Sequence, residues 1–85
     1  MVNLTSIKEN NIMQMKDRLK NIGISIKSER LRRGFSQEEL AEKCDMSRNS
    51  ISLIETGKIN PTIIRILDIA KVLDIDVNAL VKDAF

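Results

Sequence analysis

Five side chains between residues 47 and 53 have the types and the spacing that suit contacts with DNA bases. Ser47 follows a short turn and is a good N-cap, so the polar residues after it fall in the first turns of a helix. A helix in the major groove presents its N-terminal residues to the base edges, where arginine pairs with guanine and asparagine with adenine. The predicted base-contacting residues are Ser47, Arg48, Asn49, Ser52 and Leu53.

Leu53 is the apolar member of this set, and the sequence allows two interpretations of it. On the outward face of the helix it suits contact with a thymine methyl group, whereas at the helix edge it would be partly buried. Around the same helix, three residues are candidates for DNA phosphates. Gln37 begins the preceding helix, where free backbone N–H groups are available. Lys58 and Asn60 follow the proposed base-contacting helix, and the alternative for Lys58 is a solvated loop lysine.

The elements that would position these residues are all helical. Helical periodicity runs almost from end to end, and no stretch alternates like a β-strand. Ser36 with Glu39 forms a capping box, and Gly34 and Gly57 suit the left-handed residues that end helices. We therefore predict an all-α fold, a compact bundle of five helices. Its core is expected to contain Leu40, Ala41, Cys44, Ile51, Ile54, Ile63, Ile66, Ile69, Ala70, Leu73 and Leu80.

The first residues of the chain are harder to interpret. We divide the sequence into an N-terminal extension, residues 1–18, and a DNA-binding domain, residues 19–85. Helical spacing of Ile12, Met15, Leu19 and Ile22 favours a helix in the extension, either separate or continuous with the one that ends at Arg33. A flexible tail and a contact surface for a second subunit are the other interpretations.

Composition excludes several classes of function. The 85 residues contain no histidine, and the one cysteine, Cys44, lies on the apolar side of a predicted helix. Neither a nucleophile–base pair nor a zinc site can be assembled, so we expect no enzyme, no metal and no cofactor. Nothing indicates a small-molecule ligand. With no disulfide framework, signal peptide or membrane-spanning run, the expected location is the cytoplasm.

Charge is unevenly distributed along the chain. Residues 1–36 carry eight Lys and Arg residues against three acidic ones, a balance of +5, whereas residues 37–85 have a balance of −3. A solvated face is the usual explanation of such a pattern. Here the basic part adjoins the proposed base-contacting helix, where phosphates would lie, which favours DNA as the partner.

These motifs together resemble the Cro and phage-repressor (XRE-like) family of helix-turn-helix regulators, over roughly residues 20–82. The resemblance rests on Arg30, the run from Gly34 to Ala41, Ser47, Ile51-Ser52, Ile54-Glu55, Gly57-Lys58, Asn60-Pro61 and Leu80. It implies that Gln37 binds the DNA backbone and that Arg30 and Glu55 form a structural, partly buried salt bridge. Asp45 departs from the pattern, since the family usually has glycine at this turn, where φ is positive.

A single helix of this kind covers only a few base pairs, so we expect a homodimer on a palindromic operator. The candidate dimer contacts are Ile64, Ile75, Val81 and Phe85 at the C-terminal end, or Ile12 and Met15 at the N-terminal end. The resulting hypothesis is a sequence-specific, double-stranded-DNA-binding repressor or autoregulator. The alternative is an antitoxin-like module that sequesters a partner protein through the same bundle.

Overall fold

The computed structural model describes the backbone of residues 4–84 and the side chains of residues 14–82 and 84. This part of the chain forms five α-helices and a short 3₁₀ turn, with no strand, which confirms the predicted all-α architecture. The elements are α1 (Leu4–Arg32), α2 (Gln37–Lys43), α3 (Arg48–Glu55), α4 (Ile63–Leu73), α5 (Asn78–Val81) and the 3₁₀ turn Lys82–Ala84.

Helix α1 contains 29 residues and runs without a break through position 19. The predicted helical extension is therefore the N-terminal part of α1, continuous with the helix that leads to Gly34. At about 1.5 Å per residue such a helix is roughly 43 Å long, close to the longest dimension of the molecule. The overall extents are 49 × 23 × 20 Å. Within the described residues, no helix combines the length and the apolar character required to cross a membrane.

Hydroxyl side chains cap the N-termini of the three middle helices. The Ser36 hydroxyl accepts a hydrogen bond from the Glu39 N–H at 3.0 Å, and the Glu39 carboxylate accepts one from the Ser36 N–H at 3.1 Å. This is the predicted capping box. The Ser47 hydroxyl accepts from the Ser50 N–H at 3.0 Å, and that of Thr62 from the Arg65 N–H at 3.2 Å. These bonds satisfy backbone donors that the helices themselves leave free.

Helices α1 to α4 all end in the same way, with one residue in the left-handed conformation. These residues are Gly34, Asp45, Gly57 and Asp74, with φ between 55° and 74°. In each case the N–H of the next residue donates to the carbonyl five positions earlier, as in a Schellman motif. The residues whose N–H groups donate these hydrogen bonds are Phe35, Met46, Lys58 and Ile75. Three of them are apolar and pack against the core, whereas Lys58 is exposed.

The core lies where α2, α3 and α4 meet the C-terminal half of α1. Its fully buried large side chains are Ile26, Leu40, Ile51, Ile69, Leu73 and Leu80. Helices α1 and α3 pack closely at Gly23, because a Cβ at that position would lie 2.6 Å from the carbonyl oxygen of Ile54. The position of α3 relative to α1 is therefore fixed by contact between their backbones.

One prediction about an apolar residue was wrong, and two of the candidate dimer contacts are less exposed than the others. Ile75 and Val81 are partly buried against the core. Ile75 follows the left-handed Asp74, and the Schellman-type end of α4 turns the chain back toward the helix. Ile63 was expected in the core and is 63 % exposed, because it is the first residue of α4 and lies at the edge of the buried stripe.

Candidate nucleic-acid interface

A buried group of polar side chains connects the end of α1 to the end of α3. Arg30 Nε donates to Glu55 Oε2 at 2.7 Å, and Arg30 Nη2 donates to Glu55 Oε1 at 3.1 Å. A third N–H of the same guanidinium donates to the Phe35 carbonyl at 2.8 Å. Both side chains are at least nine-tenths buried, and every buried side-chain polar atom of the described residues has a hydrogen-bond partner. A buried ion pair requires such complete satisfaction.

Gln37 also belongs to this group, which the sequence did not reveal. Its side-chain Nε2 donates to Glu55 Oε1 at 3.1 Å, so the first residue of α2 is tied to the last residue of α3. The amide retains one N–H and its carbonyl for other partners. The resemblance implied separate roles for Gln37 and for the Arg30–Glu55 pair. The structure brings all three together, and only the distances in space could have shown it.

Arg48 and Asn49 lie at the N-terminal end of α3, and both are exposed. The nearest charge to Arg48 is Glu38 on α2, with 3.9 Å between Arg48 Nε and Glu38 Oε1. Both side chains are largely exposed, so this pair contributes little to stability and leaves the guanidinium free to change partner. Two side chains with the hydrogen-bonding groups needed to recognise bases therefore project from the same helix end.

Ser47 is exposed like Arg48 and Asn49, but its hydroxyl is already hydrogen-bonded within α3, and Ser52 and Leu53 are only partly accessible. The Ser47 hydroxyl caps α3 and also donates to the Ser50 hydroxyl at 2.9 Å. Ser52 and Leu53 are half-buried on the side of α3. The partial burial of Leu53 agrees with the second of its two interpretations. The five predicted base-contacting residues are therefore not equally available to a partner.

Lys58 and Asn60 lie in the exposed loop between α3 and α4. Lys58 lines an open groove formed by the end of α3 and the N-terminal part of α1. Two further lysines from α1 line it too, and they were not singled out in the sequence. Asn60 lines a second, more apolar groove with Met15, Ile63 and Val81. The loop therefore separates a basic groove from an apolar one.

Three ionisable groups near the site have shifted pKa values. Hydrogen bonds from the backbone N–H and from the hydroxyl of Ser36 hold the pKa of Glu39 below its ordinary value of 4.5. The hydrogen bond from Arg33 lowers the pKa of Glu29. Burial raises the pKa of the Cys44 thiol, and the nearby Asp68 carboxylate raises it further. A buried thiol with a raised pKa is a poor nucleophile, which agrees with a structural role.

The candidate dimer residues are not equally available. Ile64 and Met15 are 62 % and 57 % exposed, whereas Ile75 and Val81 are partly buried. The side chains of Ile12 and Phe85 lie outside the described residues. On α4, Ile64 is flanked by two other exposed apolar residues, Ile63 and Leu67. Among the described residues, no group of His, Cys, Asp and Glu side chains is arranged to hold a metal ion.

The fold and the two-helix unit α2–α3 define a helix-turn-helix protein. The model of the helix-turn-helix family HTH_3 matches residues 26–80, and the chain belongs to this family. Its members are transcriptional regulators and not enzymes. An uncharacterised HTH-type transcriptional regulator of Archaeoglobus fulgidus is 38 % identical over 60 residues, which cover 71 % of this chain and 80 % of the relative.

Solved structures of similar proteins agree with this assignment. The restriction-modification controller protein C.AhdI from Aeromonas hydrophila is 32 % identical, with a TM-score of 0.71 over 73 % of this chain and 94 % of that protein. A hypothetical transcription factor, NHTF, from Neisseria is 27 % identical, with a TM-score of 0.74 over 79 % of this chain and 77 % of that one. The clp gene regulator ClgR from C. glutamicum, 23 % identical with a TM-score of 0.72 over 76 % of this chain and 84 % of that one, shows the same fold.

Proposed function

We propose that this helix-turn-helix regulator recognises specific double-stranded DNA by inserting α3 into the major groove. The observation that carries the proposal is the exposure of Arg48 and Asn49 at one end of α3, while Glu55 at its other end is held by Arg30 and Gln37. Arginine and asparagine have the donor and acceptor geometry for guanine and adenine. A helix that is already fixed loses little freedom on binding, which favours specific recognition.

Phosphate contacts on either side of α3 would set its depth and direction in the groove. We assign them to Gln37, at the N-terminus of α2, and to Lys58 and Asn60 in the loop after α3. The bond between Gln37 and Glu55 supports this assignment, because it holds the start of α2 against the end of α3, the helix that would contact the bases. Ser47, Ser52 and Leu53 complete the surface, with Ser47 mainly as the cap of α3.

We further propose that the protein acts as a homodimer on a palindromic operator. One α3 reaches too few base pairs to single out a site in a genome, and a two-fold dimer doubles the length of sequence that is recognised. The exposed apolar residues Ile63, Ile64 and Leu67 on α4 supply a surface whose burial would stabilise such a dimer. Sedimentation should show a dimer that Ile64→Asp converts to a monomer and that Leu31→Asp, an equally exposed control, leaves intact.

For its role in the cell, we propose a cytoplasmic repressor or autoregulator. A small protein bound across a promoter blocks polymerase by occupying the DNA, and this requires only the base-contacting surface and the dimer. A reporter gene under the control of the protein's own upstream DNA should be repressed when the protein is expressed. Arg48→Ala should release that repression, while Arg65→Ala, which removes the same charge from α4, should maintain it.

The test of the DNA assignment is selection of bound duplexes from a random pool by the full 85-residue chain, combined with a mass measurement of the protein–DNA complex. We expect an enriched palindromic sequence and two chains on each duplex. If no sequence is enriched, or if Arg48→Ala and Asn49→Ala enrich the same sequence as the wild type, α3 is not the base-contacting helix.

A second candidate function is capture of a partner protein, as an antitoxin does. The exposed α4 surface favours it, since an apolar patch of this kind also suits a protein interface. The two candidates differ in what α3 does. In a protein-capturing module without DNA binding, substitutions at Arg48 and Asn49 would have no effect on function, whereas substitution at Ile64 would abolish it.

A further inference from the structure

The open groove between the end of α3 and the N-terminal part of α1 is basic. Its lining includes Lys16 and Lys20 from α1 and Lys58 from the loop, together with one acidic residue, Asp17. The remaining lining residues are Leu19, Thr56 and Gly57. Lys16 and Lys20 are four residues apart, so they lie on the same face of α1. All three lysines are exposed. Within the described part of the chain, none of them forms a salt bridge with a carboxylate.

Close backbone packing fixes these lysines relative to α3. A Cβ at Gly57 would lie 2.9 Å from the Cα of Lys20, so the end of α3 touches the α1 backbone at this point. Gly23, one turn further along α1, makes the equivalent contact with the carbonyl of Ile54. These two contacts leave no room for a side chain between the helices. The backbone positions of Lys16 and Lys20 are therefore fixed beside the C-terminal end of α3, the base-contacting helix.

The type of residue at position 58 also points to a ligand. At the ends of α1, α2 and α4 the corresponding residue of the Schellman motif is apolar and packs against the core. Packing of this kind is the usual companion of the motif. At the end of α3 the residue is Lys58, which is exposed and lines the basic groove. The end of α3 therefore lacks the apolar contact that the other three helix ends have, and the charge of Lys58 lies next to those of Lys16 and Lys20 instead.

We propose that Lys16, Lys20 and Lys58 form a binding groove for backbone phosphates of the DNA that flanks the bases contacted by α3. The inference rests on the proposed function, because it places the groove beside a helix that lies on DNA. It adds to that function a DNA contact made by α1. Lys16 and Lys20 precede the region matched by the family model, which begins at residue 26. The acidic Asp17 at the groove leaves an excess of two positive charges among the lining residues.

A structural role of the lysines is the competing explanation. The C-terminal end of α3 carries a partial negative charge from its free carbonyl groups, and nearby cations stabilise such a helix end. In that case, removing the lysines would lower the stability of the protein without altering how its DNA affinity depends on salt. Phosphate binding has the opposite signature, because each contact releases counterions and adds about 0.9 to the slope of log K against log salt concentration.

The experiment compares the full chain with the Lys16→Gln/Lys20→Gln variant. Fluorescence anisotropy would follow binding to the selected duplex, extended at both ends with mixed sequence, over a series of salt concentrations. We expect the variant to keep the base preference of the wild type and to lose about two units of salt slope. Between 50 and 200 mM salt, the wild type would then lose about tenfold more affinity than the variant.

The matched control is Lys27→Gln/Lys71→Gln, which removes two exposed lysines that do not line the groove. It should leave the slope at the wild-type value. Equal slopes for the wild type and the groove variant, or an equal loss in both double variants, would overturn the proposal. Melting curves verify that each variant is folded. The single Lys16→Gln and Lys20→Gln variants, each expected to lose about 0.9, provide the measurement if the double variant is unstable.

Failure of the proposed function can be distinguished from failure of the phosphate-binding groove. If the wild type selects no sequence, the same titration is performed with a mixed-sequence duplex. A slope that still falls in the groove variant would support phosphate binding without base recognition. A slope that is unchanged there would overturn the groove itself.

Discussion

Arg30 and Glu55, separated by 25 residues in sequence, are joined inside the protein by two hydrogen bonds of 2.7 and 3.1 Å. Through this pair, the last turn of α1 holds the last residue of α3. Gln37 adds a third bond to the same carboxylate from the start of α2. The three helices that surround the candidate DNA surface therefore share one buried carboxylate, and their relative positions depend on it.

Replacing Glu55 by alanine should reduce the free energy of unfolding by about 3–5 kcal/mol, because the buried guanidinium of Arg30 would lose its partner. Urea denaturation followed by circular dichroism measures the loss. Arg30→Met combined with Glu55→Leu should recover much of the stability, since no charge is then left buried. Glu38→Ala, an exposed control, should change stability by less than about 1 kcal/mol. If the double variant is no more stable than Glu55→Ala, an unpaired charge is not the cause of the loss.

Gly23→Ala should destabilise the protein, although alanine favours the helical conformation by about 1 kcal/mol more than glycine does. The new Cβ would overlap the carbonyl oxygens of Ile54 and Glu55, so α1 and α3 would have to separate. We expect a net loss of about 1–3 kcal/mol in urea denaturation, as for other overpacked sites. Ser28→Ala on the exposed side of α1 should cost nothing. A stabilised Gly23→Ala would mean that the helices are further apart than described.

Asp45→Gly should raise the free energy of unfolding by about 0.5–1 kcal/mol. Asp45 has a φ of 55°, where a side chain is strained and glycine is not. Asp45→Asn separates this effect from that of charge, because asparagine tolerates the same backbone conformation. Thermal unfolding of the three proteins provides the comparison. If asparagine and glycine stabilise the protein equally, removal of the charge is the cause.

The capping box should make stability depend on pH in the acid range. The pKa of Glu39 in the folded protein is below 4.5, so its contribution is fully present above the unfolded pKa and is lost as the pH falls through the folded pKa. Glutamine at this position still accepts a bond from the Ser36 N–H but does not titrate. Glu39→Gln should therefore flatten the decline in stability below about pH 5, measured by urea denaturation across pH. If stability fell as steeply in Glu39→Gln as in the wild type, the loss of stability in acid would come from other carboxylates, such as Glu29.

Arg48→Ala and Lys58→Ala should weaken DNA binding in different ways. Loss of a two-point contact with a base costs about 1–3 kcal/mol on the preferred sequence and little on others, so Arg48→Ala should relax specificity. Lys58→Ala should weaken binding to all sequences and reduce the salt slope by about one unit. Mobility-shift titrations with the selected duplex and a scrambled one separate the two effects. If Arg48→Ala weakened binding to both duplexes equally, Arg48 would be a phosphate contact.

Much of the local structure could be predicted because it depends on neighbours in the sequence. Ser36 and Ser47 cap their helices, and Gly34 and Gly57 end theirs, since each needs only a few adjacent residues. Asp74 was missed as the end of α4, because an aspartate in the left-handed conformation has no distinct sequence signal. The burial of Ile75 depends on that turn and was missed with it.

The candidate site was only partly predictable, for a similar reason. Arg48 and Asn49 could be assigned to the start of a helix from the capping serine before them. The bond between Gln37 and Glu55 joins residues 18 positions apart, and the groove with Lys16, Lys20 and Lys58 depends on how α1 passes Gly57. Periodicity places residues on the faces of helices. It does not determine which faces of distant helices meet.

The burial of Cys44 makes this chain convenient for site-selective labelling. It is the only cysteine, it is 5 % exposed, and burial raises the pKa of its thiol, so thiol-reactive dyes should leave the folded wild type unlabelled. A single new cysteine on an exposed position of α1 outside the basic groove, for example Gln14→Cys, would then carry the only dye, and Cys44 would not have to be replaced. Energy transfer from that dye to one on the end of a duplex would report how far α1 lies from the DNA.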